Sequence, residues 1–155
     1  MRIGIVSDTH DRVPASLHEA LRDVDEIVHC GDICRDVALV ELETIAPVAA
    51  VHGNCDAMAL VERFPEELVL DRAGVTIAVT HGHRFPRGST QHLARHFRTL
   101  GPDLVLFGHS HVAVSEIGDG VRFFNPGTAG GFGAKPSAGI LTLANGGFEV
   151  AHVRL

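Results

Sequence analysis

Five short polar groups punctuate the chain: Ser7-Asp8-Thr9-His10-Asp11, Cys30-Gly31-Asp32, Gly53-Asn54-Cys55-Asp56, Thr80-His81-Gly82-His83 and Gly108-His109-Ser110-His111. Each follows an apolar run. Taken singly they are ordinary: an Asp after a strand is a turn former or a helix cap, and Asn54 after Gly53 is a turn residue. A lone His on an apolar strand, such as His29, is a packed core residue. Five groups in succession, each at the end of a strand, are poorly explained as turns. Asp, Asn and His together offer hard oxygens and borderline nitrogens, a mix that suits Mn²⁺, Fe or Zn²⁺ with open positions rather than a closed structural zinc. Seven or more donors exceed what one tetrahedral ion takes, so two ions sharing a carboxylate is the natural count. Such a pair, about 3.5–4 Å apart, can hold a bridging hydroxide and clamp the oxygens of an in-line displacement at phosphorus. Two divalent ions against two carboxylates leave a net charge of about +2, attractive to phosphate on an otherwise acidic protein.

The elements that must position these groups follow from periodicity. Residues 2–7, 26–30 and 48–51 read as short buried strands, and Pro14 opens a helix with Leu17, Ala20, Leu21 and Val24 on one face. A second helix is expected over 36–45, bounded by Pro47. This alternation predicts a parallel α/β sheet, in which loops beyond the carboxyl ends of the strands converge on one crevice. Residues 67–82 read as a hairpin leading to a buried strand, 89–100 as a helix carrying Leu93, Phe97 and Leu100, and 103–108 as another strand. From Val112 onward strands alternate with turns such as Gly118-Asp119-Gly120 and Asn145-Gly146. The expectation is a single domain, residues 1–155, with two sheets face to face and helices outside.

Composition narrows the classes. The chain of 155 residues is 45% hydrophobic, with eight Phe and neither Trp nor Tyr, which leaves few platforms for stacking unpaired bases. A net charge of −6 removes the basic footprint that nucleic acid or an anionic membrane would require. No apolar run reaches the length of a signal peptide core or a membrane span, so a cytoplasmic location is expected. Cys30, Cys34 and Cys55 are odd in number and form no C-x-x-C pair, which argues against a disulfide framework. The loop 125–137 does not fit the phosphate-cradling G-x-x-x-x-G-K-[ST] pattern around Lys135. Asn125 and the backbone near Gly127 are expected to border the mouth of the site, and Arg63 to Glu67 to be a solvated surface.

The order D-x-H, G-D, G-N-x-D, H-G-H, G-H-x-H resembles that of the calcineurin-like metallophosphoesterase superfamily, and more narrowly its small, single-domain bacterial and archaeal phosphodiesterases. The resemblance spans essentially the whole chain and includes Asn125-Pro126-Gly127-Thr128. It implies an α/β fold, a four-layer α/β/β/α sandwich of two mixed sheets flanked by helices. It also implies two divalent ions, Mn²⁺ foremost, with Fe, Zn²⁺ or Ni²⁺ as alternatives. One ion would be held by Asp8, His10 and His111, the other by Asn54, His81 and His109, with Asp32 bridging. The implied activity is that of a metal-dependent phosphoesterase, more a phosphodiesterase than a monoesterase, in which a bridged hydroxide attacks a small phosphoester. The composition gives no strong nucleic-acid signal and no membrane partner, the substrate is open between a cyclic nucleotide, a nucleic-acid end and a glycerophosphodiester, and a homo-oligomer is left open.

Many members of that superfamily have His where Cys55 stands, read as a proton donor or phosphate clamp. The small phosphodiesterases often carry the same G-N-C-D. A thiol near its ordinary pKa of about 8.5 can donate a proton but hydrogen-bonds weakly. Cys55 therefore stands between a catalytic and a packing role, with Asp56 orienting a neighbour or capping the next segment and His52 and His83 as alternative donors. The candidate catalytic set is Asp32, Asn54, Cys55, Asp56 and His83. Two rivals remain: a hydrolase of carbon–nitrogen or thioester bonds, and a scaffold that keeps the fold without catalysis, as in the retromer's metallophosphoesterase-like subunit. A scaffold is free to lose one of the seven ligands, and this chain keeps them all, which favours the enzyme.

Overall fold

The structure is a computed structural model that describes residues 1–144 and 146–155. Its first half alternates strand and helix: β1 (Arg2–Val6), α1 (Ala15–Leu21), β2 (Glu26–His29), α2 (Asp36–Glu43), β3 (Val48–Ala50) and α3 (Met58–Arg63). There follow β4 (Glu67–Arg72), β5 (Val75–Thr80), α4 (Thr90–Phe97) and β6 (Leu104–Leu106). The chain closes with β7 (Val114–Gly118), β8 (Val121–Asn125), β9 (Ser137–Ala144) and β10 (Gly147–Arg154). One sheet has the order β10-β9-β1-β2-β3 and the other β4-β5-β6-β8-β7. Both are mixed: β1, β2 and β3 run parallel while β9 and β10 run antiparallel. In the second sheet β5, β6 and β8 are parallel, with β4 and β7 antiparallel at the edges.

Period-two alternation explains the four layers. In β1, Ile3 and Ile5 point between the sheets, where they meet Ile77 and Val79 of β5, Leu104 and Leu106 of β6, and Phe124 of β8. The other face of β1 puts Val6 against Leu17 and Leu21 of α1. Likewise Ala78 and Val105 turn away from the sheet interface to pack on Leu93 and Phe97 of α4. Helices α2 and α3 share Leu39, Leu60 and Ala50 as a further cluster on the outside of β3. The expected α/β sandwich of two mixed sheets flanked by helices is the fold found.

The differences are local. Residues 58–63, without a helical expectation, form α3, packed through buried Leu60. The helices expected over 36–45 and 89–100 are shorter, and Leu100 lies exposed past the end of α4. Asp119 and Gly120 make a two-residue hairpin turn with positive φ at both (51° and 81°), the type that matches strand twist. Asn145, half of the other expected turn, lies outside the described residues; β9 and β10 pair on either side of it.

The two sheets meet closely at Gly139 of β9, where an added Cβ would lie 2.5 Å from Phe124 Cε1 and 3.3 Å from Ile5 Cβ. A side chain there must separate the sheets. Gly139→Val is expected to cost about 2–3 kcal/mol by overpacking, read as a lowered urea midpoint. A midpoint unchanged to within about 0.5 kcal/mol would contradict this packing.

Candidate metal centre

The polar groups sit where parallel strands end, and their loops are tied to one another by backbone. Asp8 N–H bonds Gly31 O (3.0 Å), His10 N–H bonds Asp32 O (3.1 Å), and Gly108 N–H bonds His81 O (3.2 Å). The turns are too sharp for ordinary backbone. Asp8, His10, Asp32, His109 and His111 all have left-handed φ, between 44° and 66°. Non-glycine residues adopt that region at a cost of about 1–3 kcal/mol each and cluster in it at functional sites. Gly53 allows a further close approach: a Cβ on it would collide with Asp32 Oδ1 and lie 2.6 Å from Asp32 N.

The side chains converge as three overlapping triads, in each of which the donor atoms lie within 4.8 Å of one another: Asp8, His10 and His111; Asp8, Asp32 and His81; and His10, Asp32 and Cys55. Hydrogen bonds on the far side of each ring decide what faces inward. His81 Nδ1 lies 2.8 Å from the Cys30 carbonyl and His111 Nδ1 lies 2.8 Å from the Phe132 carbonyl. A carbonyl only accepts, so both Nδ1 atoms carry a proton, and each ring turns its Nε2 to the centre. There they meet acceptors: His111 Nε2 is 3.0 Å from Asp8 Oδ1 and His81 Nε2 is 3.3 Å from Asp32 Oδ2. His10, whose Nδ1 contacts Cys34 Sγ (3.2 Å), brings its Nε2 to 3.3 Å from His111 Nε2.

Asp8 Oδ1 and His81 Nε2 belong to fully buried residues and make no hydrogen bond among the described residues. Buried acceptors facing one another are unfavourable unless a proton or a metal ion lies between them. This donor set fits divalent ions, and the chain has the capacity to bind metal. The fit rests on carbonyl-fixed imidazoles, the arrangement that orients histidine ligands in metal sites.

Protonation follows from the same packing. Burial raises the Asp8 carboxyl above its ordinary value, against the pull of His81, Ser7 and His111. Burial opposes ionisation of Asp32 too, but the contact with His81 and the Cys55 N–H outweigh it, and the carboxyl is held well below the usual range. His81 is raised: burial pulls it down, and Asp32, Asp8 and the Cys30 carbonyl more than reverse that. Burial and neighbouring His81 lower both His83 and His109.

The remaining expected residues are distributed around this cluster. The His109 ring faces His81 at 5.2 Å between centroids, and the His109 backbone N–H donates to Asp8 Oδ2 at 3.2 Å. Asn54 is exposed, with its NH₂ donating to Cys55 Sγ at 3.3 Å. Asp56 accepts three backbone N–H groups, from Gly53 (2.6 Å), Cys34 (2.6 Å) and Asp32 (3.2 Å), and so braces the loop. His83 stands 5.6 Å from the His81 ring and His52 a further 6.3 Å beyond His83. His29 is a core residue, bonded to Thr9 and the Gly31 N–H, with burial pushing it down to about 3.

Asn125 does not border the mouth. It is fully buried and donates to Gly108 O (2.8 Å) and Ser110 Oγ (3.1 Å), holding the His109–His111 loop from behind. Sequence reasoning also passed over Thr128, whose hydroxyl donates to Asp8 O (2.9 Å), and Ser7, which donates to Asp8 Oδ2 (2.5 Å). Cys34 and Phe132 are further omissions, the contacts of His10 and His111. The signal for Thr128 was present in the Asn-Pro-Gly-Thr run; nothing in the sequence marks Phe132, which acts through its carbonyl.

With this geometry in view, comparison with known proteins places the chain. The family model for the calcineurin-like phosphoesterase superfamily domain matches residues 1–146, and the chain belongs to that superfamily. A probable metallophosphoesterase of Methanothermobacter thermautotrophicus is 39% identical over 134 residues, covering 83% of this chain and 77% of the relative. Among solved structures, Vps29 of Chaetomium thermophilum superposes with a TM-score of 0.85 at 18% identity, over 100% of this chain and 97% of that one. Vps29 of Entamoeba histolytica, solved in complex with zinc, gives 0.83 at 23%, over 99% of both chains. At these identities the likeness is one of fold.

These matches correct the functional expectation. A phosphoesterase, or phosphodiesterase, acting on a small phosphoester was inferred from complete ligands on this fold. The structures that overlay the whole chain include a group of Vps29 proteins, one with zinc bound. Ligand completeness therefore does not separate a hydrolase from a scaffold, and the readings as hydrolase and as binder of a phosphoester substrate fall with it. Among the described residues no helix is long and apolar enough to cross a membrane.

The pH response of the centre is testable. Without ions, the Asp32–His81 pair stabilises the fold most between the ordinary values of the two groups, 3.8 and 6.5. The Asp32 share is lost as pH falls through its depressed folded value, and the His81 share as pH rises through its raised folded value. Ions compete with the proton for His81 Nε2, so the thermal shift on adding Zn²⁺ or Mn²⁺ is expected to grow between about pH 5.5 and about pH 8. A shift that shrinks or stays flat over that range would contradict seating on His81.

Proposed function

We propose that this chain is a metal-binding scaffold: a small, single-domain metallophosphoesterase whose centre, when loaded, fixes the loops of a protein-docking surface. The observation that carries this reading is the overlay of the full chain on several Vps29 proteins, one of them solved with zinc. Beside the cluster, where protonation of a leaving group needs a strong donor, the chain offers a thiol pushed up to about 11 by burial and by Asp32. With no ion on its sulfur such a group stays neutral and hydrogen-bonds weakly, so it does not clamp a phosphate by charge. Vps29 proteins, named for vacuolar protein sorting, support the reading by sharing the fold over the full chain. One divalent ion is assigned to Asp8, His10 and His111, a second to His81, His109 and Asn54, with Asp32 between them. The oxygen and imidazole donors suit Mn²⁺, and zinc equally.

The docking surface we assign is β7, an edge strand with free backbone on one side. The loop that carries His109 and His111 runs directly into it, so ions bound there would anchor its root. Ile117 is 66% exposed on this strand and Val112 is 59% exposed just before it. Grooves of about 460 and 440 Å³ flank Ile117, the first lined also by Arg95, Arg98, Glu116 and Asp119, the second by Arg122, Asp103, Glu149 and Phe148. Arg95 and Arg98 make no ion pair among the described residues. An extended, partly apolar segment of a partner protein matches this edge by strand addition.

Metal-loaded protein titrated with an extended peptide of alternating leucine and threonine is expected to bind it, and Ile117→Lys to weaken binding at least about tenfold, or 1.4 kcal/mol. The same preparation is expected to leave aryl phosphodiesters and monoesters at the background rate of metal in buffer. Hydrolysis that Asp32→Ala abolishes, or a peptide that does not bind, would overturn the scaffold reading.

A further inference from the structure

We propose that Cys55 is a metal ligand: with His10 and Asp32 it forms a solvent-facing seat in the cluster that takes a thiophilic divalent ion such as zinc or cobalt. This goes beyond the docking reading and does not depend on it. Of the three cysteines, Cys55 alone has its sulfur in a triad, with His10 and Asp32 donor atoms within 4.8 Å. A tetrahedral site with bonds of about 2.0–2.3 Å has edges of roughly 3.5 Å, so a small contraction of an exposed loop closes the seat. Asp32 is arranged for it. Its Oδ1 accepts the Cys55 N–H at 2.7 Å, which ties the two residues together, while Oδ2 faces His10 Nε2 at 4.0 Å.

Two further observations point to an ion at this place. Asn54 donates an N–H to Cys55 Sγ at 3.3 Å, which holds the sulfur beside another candidate donor of the centre. The buried, unpartnered Asp8 Oδ1 and His81 Nε2 face the same centre, so the seat adjoins donors already lacking partners. Cys34 is excluded by position, since its sulfur contacts His10 Nδ1, the ring nitrogen turned away from the centre. On binding, the metal–sulfur bond forms as the S–H bond breaks, and the proton passes to solvent. The structure thus gives the centre a soft donor that Asp, Asn and His alone would not supply, and with it a preference for zinc and cobalt over manganese.

Metal-stripped protein titrated with Co²⁺ is expected to develop a sulfur-to-cobalt charge-transfer band in the near ultraviolet. Cys55→Ser should lose that band and bind zinc at least about tenfold more weakly, with manganese affinity little changed; Cys34→Ser should keep the band. Wild-type protein also supplies a test free of variants: saturating zinc, but not manganese, should protect Cys55 from iodoacetamide, read by mass spectrometry of the peptide. Absence of the band at saturating cobalt, its loss with Cys34→Ser alone, or equal alkylation of Cys55 with and without zinc would overturn the assignment.

Discussion

Asp8 Oδ1 and His81 Nε2 lie out of water with only other acceptors for company, and most of what is unusual in this molecule follows from that. An unpaired buried acceptor costs about 1–3 kcal/mol, and two in one cluster are a large fraction of a domain's net stability. The surroundings enforce the arrangement rather than relieve it. The Cys30 and Phe132 carbonyls fix the imidazole rings, and Asn125 and Thr128 hold the loops from behind. The left-handed backbone at Asp8, His10, Asp32, His109 and His111 is part of the same expenditure. A cation placed among these atoms converts repulsion into bonding.

The fold supplies the rigidity that such strain needs. Each ligand loop springs from a strand buried between the sheets or against a helix, and the interleaved Ile3, Ile5, Ile77, Val79, Leu104, Leu106 and Phe124 leave those strands no freedom to yield. Neighbouring loops hydrogen-bond to one another, so the cluster is one unit rather than five. Through residues 109–113 that unit connects to edge strand β7. Under the proposed scaffold reading, occupancy of the centre would bear on the shape of that exposed strand.

Much of this was legible in the sequence. The strands could be read because Ile, Val and Leu runs stop abruptly at polar triplets, and the convergence of Asp8, Asp32, His81 and His111 followed from strand ends sharing one edge. Helix α3 was not, because Met58 to Arg63 is short and exposes most of its surface, with Leu60 alone deeply buried. Asn125 was placed at the mouth because a polar residue after a strand suggests a site; its partners are backbone and hydroxyl groups that no residue pattern announces. The functional error had another origin. Seven intact candidate ligands report a capacity to hold a cation, and a Vps29 fold solved with zinc has that capacity too.

The central claim is that Asp8 is kept as a buried carboxylate for the sake of ions. Thermal unfolding of Asp8→Asn, with and without divalent metal, tests it most directly. Because burial raises the Asp8 carboxyl, its charge opposes folding at neutral pH. The metal-free variant is predicted to melt about 2–4 °C above the metal-free parent and to gain nothing from Mn²⁺ or Zn²⁺. A variant that melts lower without metal, or that is stabilised by metal as much as the parent, would contradict the account.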